Sequence, residues 1–182
     1  MAKQKKTPTI PEVIRRRRAD YLIARSYLSL GVRIAVLVLV LFILLTQVFL
    51  LTQVSGNGMF PALEDGDVIF AYRLQEEYAK NDVVVYTAGG ETRVGRVLGR
   101  PTDVVTLDDS GTLLINGTAQ GGEIMYPTYA KEGITYPFVV PEDAWFILGD
   151  YRTQTEDSRD FGAIHSAEIM GKVITILRRR GI

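Results

Sequence analysis

Hydrophobic positions fall into two unlike patterns along this chain. The first is continuous: Ile34 to Leu51 reads IAVLVLVLFILLTQVFLL, 18 residues without a charge and polar only at Thr46 and Gln47. The buried helix of a soluble domain usually keeps a polar face, and none recurs here. At 1.5 Å per residue the run covers roughly 27 Å, close to the ~30 Å hydrocarbon core of a bilayer. It predicts a transmembrane helix over 34–52.

The second pattern begins after residue 54, where short β-branched and aromatic runs alternate with turn chemistry. Candidate strands are Asp67–Tyr72, Asp82–Tyr86, Thr92–Leu98, Val104–Leu107, Thr112–Ile115, Trp145–Leu148 and Gly171–Leu177. Glu64-Asp65-Gly66, Gly89-Gly90, Asp108-Asp109-Ser110-Gly111 and Asn116-Gly117 punctuate them as turns. Short, evenly spaced strands of this kind predict a mainly β fold, a coiled antiparallel sheet or partial barrel behind one helix. Leu74–Lys80 is the one stretch expected to make a helical turn, and 118–140 has no clear period and is expected to be an irregular insertion. The layout is a basic segment 1–33, a span 34–52 and a β-domain 53–182.

Charge adds an orientation. The formal net charge of zero hides nine Lys/Arg against two Asp/Glu in residues 1–33 and twelve against nineteen in 34–182. Lys3, Lys5, Lys6, Arg15 to Arg18, Arg25 and Arg33 all precede the apolar run, and Thr52 to Phe60 carries no charge. The positive-inside rule then predicts a single-pass protein with a cytoplasmic N-terminus and an extracytoplasmic β-domain. Beside a span, a basic run is a topology signal far more often than a nucleic-acid patch. The apolar run is long for a signal peptide, and Thr52-Gln53-Val54-Ser55 offers no small-x-small cleavage site. The chain has no cysteine and one histidine, His165. That excludes disulfides, thiolate metal sites and a multi-histidine cluster within one chain. No metal, cofactor or nucleic acid is expected.

Four segments carry a resemblance. Ser55-Gly56-Asn57-Gly58-Met59-Phe60-Pro61-Ala62-Leu63, with Asp65-Gly66-Asp67 behind it, is similar to a G-x-S-M-x-P-T-L box and the Gly-Asp that follows it. Lys80 to Tyr86 resembles G-D-V-V-V-F, and Arg93 to Asp103 resembles V-K-R-V-x-G-x-P-G-D. Gly149 to Gly162 resembles G-D-N-R-x-x-S-x-D-S-R-x-x-G. Together, in this order and behind one anchor, they resemble the type I signal peptidases, Ser/Lys proteases of the outer membrane face. The single span is more like the Gram-positive branch.

That resemblance assigns the nucleophile to position 58 and the general base to position 95. The chemistry needs a serine hydroxyl there and a desolvated lysine whose lowered pKa lets it accept the proton. This sequence has Gly58 and Gly95 instead. Without nucleophile or base a serine protease retains roughly 10³–10⁴-fold catalysis over water, and the guanidinium of Arg96 cannot serve as a base. Ala62, Asn81, Thr102, Tyr151 and Thr155 also depart from the family's Thr, Gly, Gly, Asn and Ser. Asp150, Arg152, Asp157, Ser158 and Arg159 are retained, and Asp157 with Arg159 is expected to form a structural ion pair or cap.

The resemblance therefore implies a non-catalytic protein that binds extended peptide segments of exported proteins by β-augmentation. Candidate groove residues are Ser55, Asn57, Gly58, Met59, Phe60, Asp82, Val83, Val84 and Gly95, with the two glycines leaving the groove wider and less polar. Signal-peptidase-like proteins without the dyad occur in Gram-positive pilus gene clusters, which implies a chaperone or accessory role in pilin assembly, with pilin segments, sortase or pilus machinery and membrane lipid as partners. Two alternatives stand beside it. One is an active signal peptidase with displaced residues such as Ser55, or Ser158 with His165 and Asp150; Ser55 lies some ~10 Å from position 58 if the chain is extended. The other is a structural partner subunit of a membrane complex.

Overall fold

A computed structural model describes residues 10–121 and 126–178. The chain divides into two units after Thr46. In the first, helix α1 runs Ile10–Val48, and its Tyr21–Val48 portion is long and apolar enough to cross a membrane, with none of its most apolar window buried. The basic residues Lys3, Lys5 and Lys6 lie outside the described residues.

The expected span of 34–52 needs correction at its end. The helix stops at Val48, and Phe49–Gln53 form strand β1, so the boundary between the units falls at 46/47 and not at 53. The physical reason is a partner that hydropathy does not register. β1 pairs antiparallel with β2 (Val68–Tyr72), and the Phe49 ring stacks on Phe70 with centroids 4.8 Å apart. Arg73 N–H donates to the Val48 carbonyl at 2.9 Å, next to the start of β1.

The second unit is mainly β, in two coiled antiparallel sheets without a closed barrel. Its further elements are β3 (Val83–Ala88), β4 (Glu91–Gly99), β5 (Val104–Leu107), β6 (Leu113–Ile115), β7 (Thr118–Ala119), β8 (Phe138–Val139), β9 (Ala144–Leu148), the short helix α2 (Ser158–Phe161), β10 (Ile164–His165) and β11 (Ile169–Leu177). The larger sheet has the order β1-β2-β11-β3-β4-β9-β10 and the smaller one β7-β6-β5-β8. All seven expected strands are present. β1, β7, β8 and β10 were not expected: three are two-residue bridges, and β1 was hidden in the apolar run.

Strand β9 shows why the core forms where it does. Its sequence AWFIL is buried at every position, the mark of a strand covered on both faces. Trp145 and Ile147 pack with Tyr78, Tyr86 and Val97, while Ala144, Phe146 and Leu148 pack with Leu98, Val105 and Val140. A third cluster joins Met59, Leu63, Ile69 and Val85.

No helix forms over Leu74–Lys80, contrary to expectation. Tyr78 is instead drawn into the core, its ring edge-on to Trp145 at 5.3 Å, and Ala79 N–H donates to the Asp82 carboxylate at 3.0 Å. Tertiary anchoring overrides a weak local preference. The insertion 118–140 is flanked by β7 and β8, and Thr128 within it is buried.

Candidate functional site

The segment after β1 is fixed from both ends. Val54 N–H donates to the Asp67 carbonyl at 2.8 Å, Gly66 N–H to the Val54 carbonyl at 3.0 Å, and Gly56 N–H to Asp65 Oδ1 at 2.7 Å. Met59 and Leu63 point into the core and pin the turn between them. Gly58 is thereby held against the loop after β9, and its carbonyl accepts from Tyr151 N–H at 3.0 Å. Gly95 lies mid-strand on β4, opposite Val84 of β3. One residue on, Arg96 faces Leu148 of β9. The end of β9 thus borders both glycine positions.

The space that side chains would need at those positions is already filled. A Cβ at Gly58 would lie 2.8 Å from Thr155 Cγ2. One at Gly95 would lie 2.5 Å from Ile147 Cγ2, 3.1 Å from Tyr86 Cε1 and 3.3 Å from the Leu148 carbonyl oxygen. The Thr155 methyl also abuts Gly149. Thr155 is fixed by its hydroxyl, which donates to Asp157 Oδ2 at 3.0 Å, and its carbonyl accepts from Lys131 Nζ at 2.5 Å. The expectation of a groove widened by two glycines is corrected: methyl groups from neighbouring residues occupy the room.

A hollow of about 500 Å³ adjoins Gly58, bordered by Ser55, Asn57, Arg93, Val94, Gln154 and Glu156 among others. Its lining mixes polar side chains such as Ser55, Asn57, Gln154 and Glu156 with Val94 and the glycines 56, 58 and 149. Arg93 bridges Glu156 at 2.7 Å and Glu91 at 3.0 Å, and its guanidinium lies over the Phe161 ring at 5.0 Å. Along this hollow β4 has an open side. β3 covers β4 from Glu91 to Arg96, but β9 pairs with it only from Arg96 onward. Glu91–Gly95 therefore lacks a strand partner on that side among the described residues.

The expected groove residues divide accordingly. Ser55, Asn57 and Gly58 border this hollow. Phe60 is 37% exposed, with its ring tilted against Tyr151 at 6.3 Å. Asp82 and Val83 border a different hollow, where Asp82 pairs with Lys172 at 2.8 Å. Met59 and Val84 are core residues with 1% and 0% exposure, so neither can touch a bound peptide. Gly95 is also buried. β3, which carries the groove candidates Val83 and Val84, offers no free edge along its length, since it pairs with β4 on one side and β11 on the other. The open edge belongs to β4.

The signal peptidase, peptidase S26 family matches residues 27–177. This chain belongs to that family. It is 33% identical over 155 residues to signal peptidase I of Bacillus licheniformis, covering 75% of this chain and 82% of the relative. It is 32% identical over 162 residues to signal peptidase IB of Staphylococcus aureus strain Mu50, covering 78% and 84%. A signal peptidase I crystal structure from Enterococcus faecalis V583 is 28% identical, covers 54% of this chain and 97% of that one, and superposes with a TM-score of 0.43.

In this member of the signal peptidase family, the 150–159 segment is a buried charge scaffold. Asp150 accepts both Arg96 Nε and Nη2, at 2.8 and 2.6 Å. Arg152 is fully buried, donating to the Gly149 carbonyl at 2.8 Å and to Thr128 Oγ1 at 2.6 Å. Desolvation lowers its pKa to about 10, so it stays charged at neutral pH. The expected Asp157–Arg159 pair is present, with Nε and Nη2 each 2.8 Å from a carboxylate oxygen, and Asp157 also caps α2. Ser158 is fully buried and its Oγ accepts from Ile147 N–H at 2.8 Å.

Three functional features escaped the sequence. Thr155 was visible as a departure, but the direction of its methyl was not. Ile147 was visible only as part of the strand Trp145–Leu148. The Glu91–Arg93–Glu156 group brings Glu156, from the loop before α2, to two residues of β4, and no spacing rule predicts that meeting.

Proposed function

We propose that this family member is a non-cleaving, membrane-anchored protein that binds extended segments of exported polypeptides beside β4. The observation that carries the reading is the double filling of the dyad space by Thr155 and Ile147. A vacated site would keep room for the lost side chains; here the neighbours have closed over it. The open half-edge of β4 and the adjoining 500 Å³ hollow supply main-chain partners and space for an extended chain. α1 serves as the anchor, with its basic N-terminal part cytoplasmic and the β-unit outside. Its uncharged stretch Ile34–Val48 covers roughly 22 Å, so the span draws on the turns before Arg33, whose long side chain reaches back to the interface.

Displaced catalysis finds little support. Ser158 Oγ is buried and engaged, Asp150 is engaged by Arg96, and His165 is exposed on β10. Ser55 makes no side-chain hydrogen bond among the described residues. Within this reading the bound segments belong to pilin subunits and the role is assistance to sortase-driven assembly, a part supported by the resemblance to the dyad-less proteins of pilus clusters.

The deciding experiment incubates full-length protein in lipid with pre-proteins from its own cell. The native protein is expected to cleave none of them. Cleavage abolished by Ser55→Ala or Ser158→Ala would overturn the reading. In the same cells, crosslinking through a photoreactive residue at Asn57 is expected to capture exported pilin; capture of none would remove the pilin assignment.

A further inference from the structure

Two exposed cations of α1, Arg25 and Arg33, have no partner: neither makes a hydrogen bond or an ion pair among the described residues. The nearest acidic residue before Arg25 is Asp20, five positions away, outside the i,i+3 and i,i+4 spacings at which helical side chains meet. Beyond it the next is Glu64. Between the two arginines, on the same side of the helix, lie Ser26 and Ser29, and with Leu22 and Leu30 they border a shallow notch. Neither serine hydroxyl is hydrogen-bonded among the described residues.

The length of the span sets the depth of this notch. The uncharged stretch Ile34–Val48 covers roughly 22 Å of a ~30 Å hydrocarbon core. The missing ~8 Å corresponds to about five residues of helix, which puts the cytoplasmic edge of the hydrocarbon near Ser29. Headgroup phosphates then lie at the level of Ser26 and Arg25. Side chains on a helix lean toward its N-terminus, and a long cationic one near hydrocarbon extends toward the polar layer. The Arg33 guanidinium is therefore drawn back beside Ser29.

Two guanidinium groups thus bracket two small hydroxyl-bearing residues at the depth of the phosphates. Guanidinium binds phosphate oxygens through paired N–H donors, and the short serine side chains leave the phosphate room to approach the helix. An unpaired cation at the edge of the hydrocarbon is costly, and nothing within the helix neutralises Arg33.

We propose that this notch binds the phosphodiester of an anionic phospholipid in the cytoplasmic leaflet. The inference rests on the anchor orientation given above and extends it. Arg33 takes the phosphate oxygens from below, Arg25 supplies the second positive charge, and the Ser26 and Ser29 hydroxyls donate to the same oxygens. Leu30 lies against the start of an acyl chain. A zwitterionic headgroup carries its own cation beside the phosphate, which competes with the arginines, so the notch favours a lipid of net negative charge.

The test titrates the full-length chain in detergent, at physiological salt, with phosphatidylglycerol or phosphatidylcholine and counts bound lipid by native mass spectrometry. One phosphatidylglycerol is expected to bind in preference. Arg25→Gln with Arg33→Gln should weaken that binding roughly thirtyfold, and each alone roughly fivefold. Arg17→Gln with Arg18→Gln removes the same charge about a Debye length away and should change it less than about twofold. Ser26→Leu with Ser29→Leu keeps every charge but fills the notch, and should weaken binding about tenfold through lost hydrogen bonds to a charged group. Equal losses from the two arginine pairs, or no loss from the leucine pair, would leave only diffuse attraction and refute the site. Equal binding of the two lipids would refute the preference for negative charge. Displacement by inorganic phosphate at the lipid's own concentration would assign the notch to a free anion and overturn the lipid. Orientation is read separately. The chain has no cysteine, so Pro11→Cys introduces a unique thiol, which a membrane-impermeant maleimide should fail to label on intact cells. Labelling would overturn the orientation and the leaflet assignment without altering the lipid count.

Discussion

Gly95→Ala discriminates sharply between a vacated site and a filled one. In an open strand position this change stabilises or is neutral, because glycine in a strand is disfavoured by roughly 0.5–1 kcal/mol. Here the added methyl would lie 2.5 Å from Ile147 Cγ2 and 3.1 Å from the Tyr86 ring. Ile147 and Tyr86 are 0% and 1% exposed in a packed cluster, so neither can swing into solvent. Overpacking of this kind costs about 1–3 kcal/mol, which reverses the sign expected for an open site. Ile147→Ala alone removes a buried side chain and should cost about 2–5 kcal/mol. The pair is not additive: Gly95→Ala in the Ile147→Ala background loses its closest contact, that with Ile147 Cγ2, and part-fills the cavity. The double variant should therefore be about 1–3 kcal/mol more stable than the sum of the singles. Denaturant unfolding of the four proteins in one detergent, followed by Trp145 fluorescence, measures the cycle. Additivity within about 0.5 kcal/mol, or a stabilising Gly95→Ala, would refute the claim that Ile147 fills the base position.

Three further outcomes follow from the same packing. Gly58→Ser with Gly95→Lys should leave the protein destabilised and without cleavage activity in a pre-protein assay. Adding Thr155→Ser and Ile147→Met, which remove the two methyls, should recover stability by about 2 kcal/mol, and an unchanged midpoint would count against the filling. Arg159→Met strands the Asp157 carboxylate in the interior and should cost about 3–5 kcal/mol, seen as a lowered denaturation midpoint; a loss under 1 kcal/mol would mean water reaches the pair. Tyr86 and Tyr136 have raised pKa values, both chiefly through burial, Tyr136 to about 12. Their contribution is complete below the ordinary tyrosine value of 10.0, and it is lost as the unfolded chain ionises above it. Stability should be level from neutral pH to about 9 and fall beyond about 10, and a midpoint insensitive to alkali would contradict the burial of these phenols.

The two patterns of apolar residues by themselves determined the division into an apolar helix and a β-unit. Strand runs such as Val104–Leu107 and Trp145–Leu148 were legible because short β-branched and aromatic runs bounded by turn residues are local properties. That Gly58 and Gly95 stand where the resemblance expects a serine and a lysine was equally legible, since it depends on the identity of two residues within recognisable boxes. What lay beyond sequence was every property that depends on who stands opposite. Phe49–Gln53 looks like the end of a span until Val68–Tyr72 offers it a ladder. Met59 and Val84 look available for binding until the fold turns them inward. Only the pairing of β11 and β4 on its two sides shows that β3 has no free edge for a peptide. Gly58 and Gly95 suggest empty space in a sequence, because a missing side chain is all that a letter records. Close packing decides otherwise: interiors tolerate few voids, and the methyls of Thr155 and Ile147, one six residues beyond Gly149 and one on β9, reach the places the dyad would need.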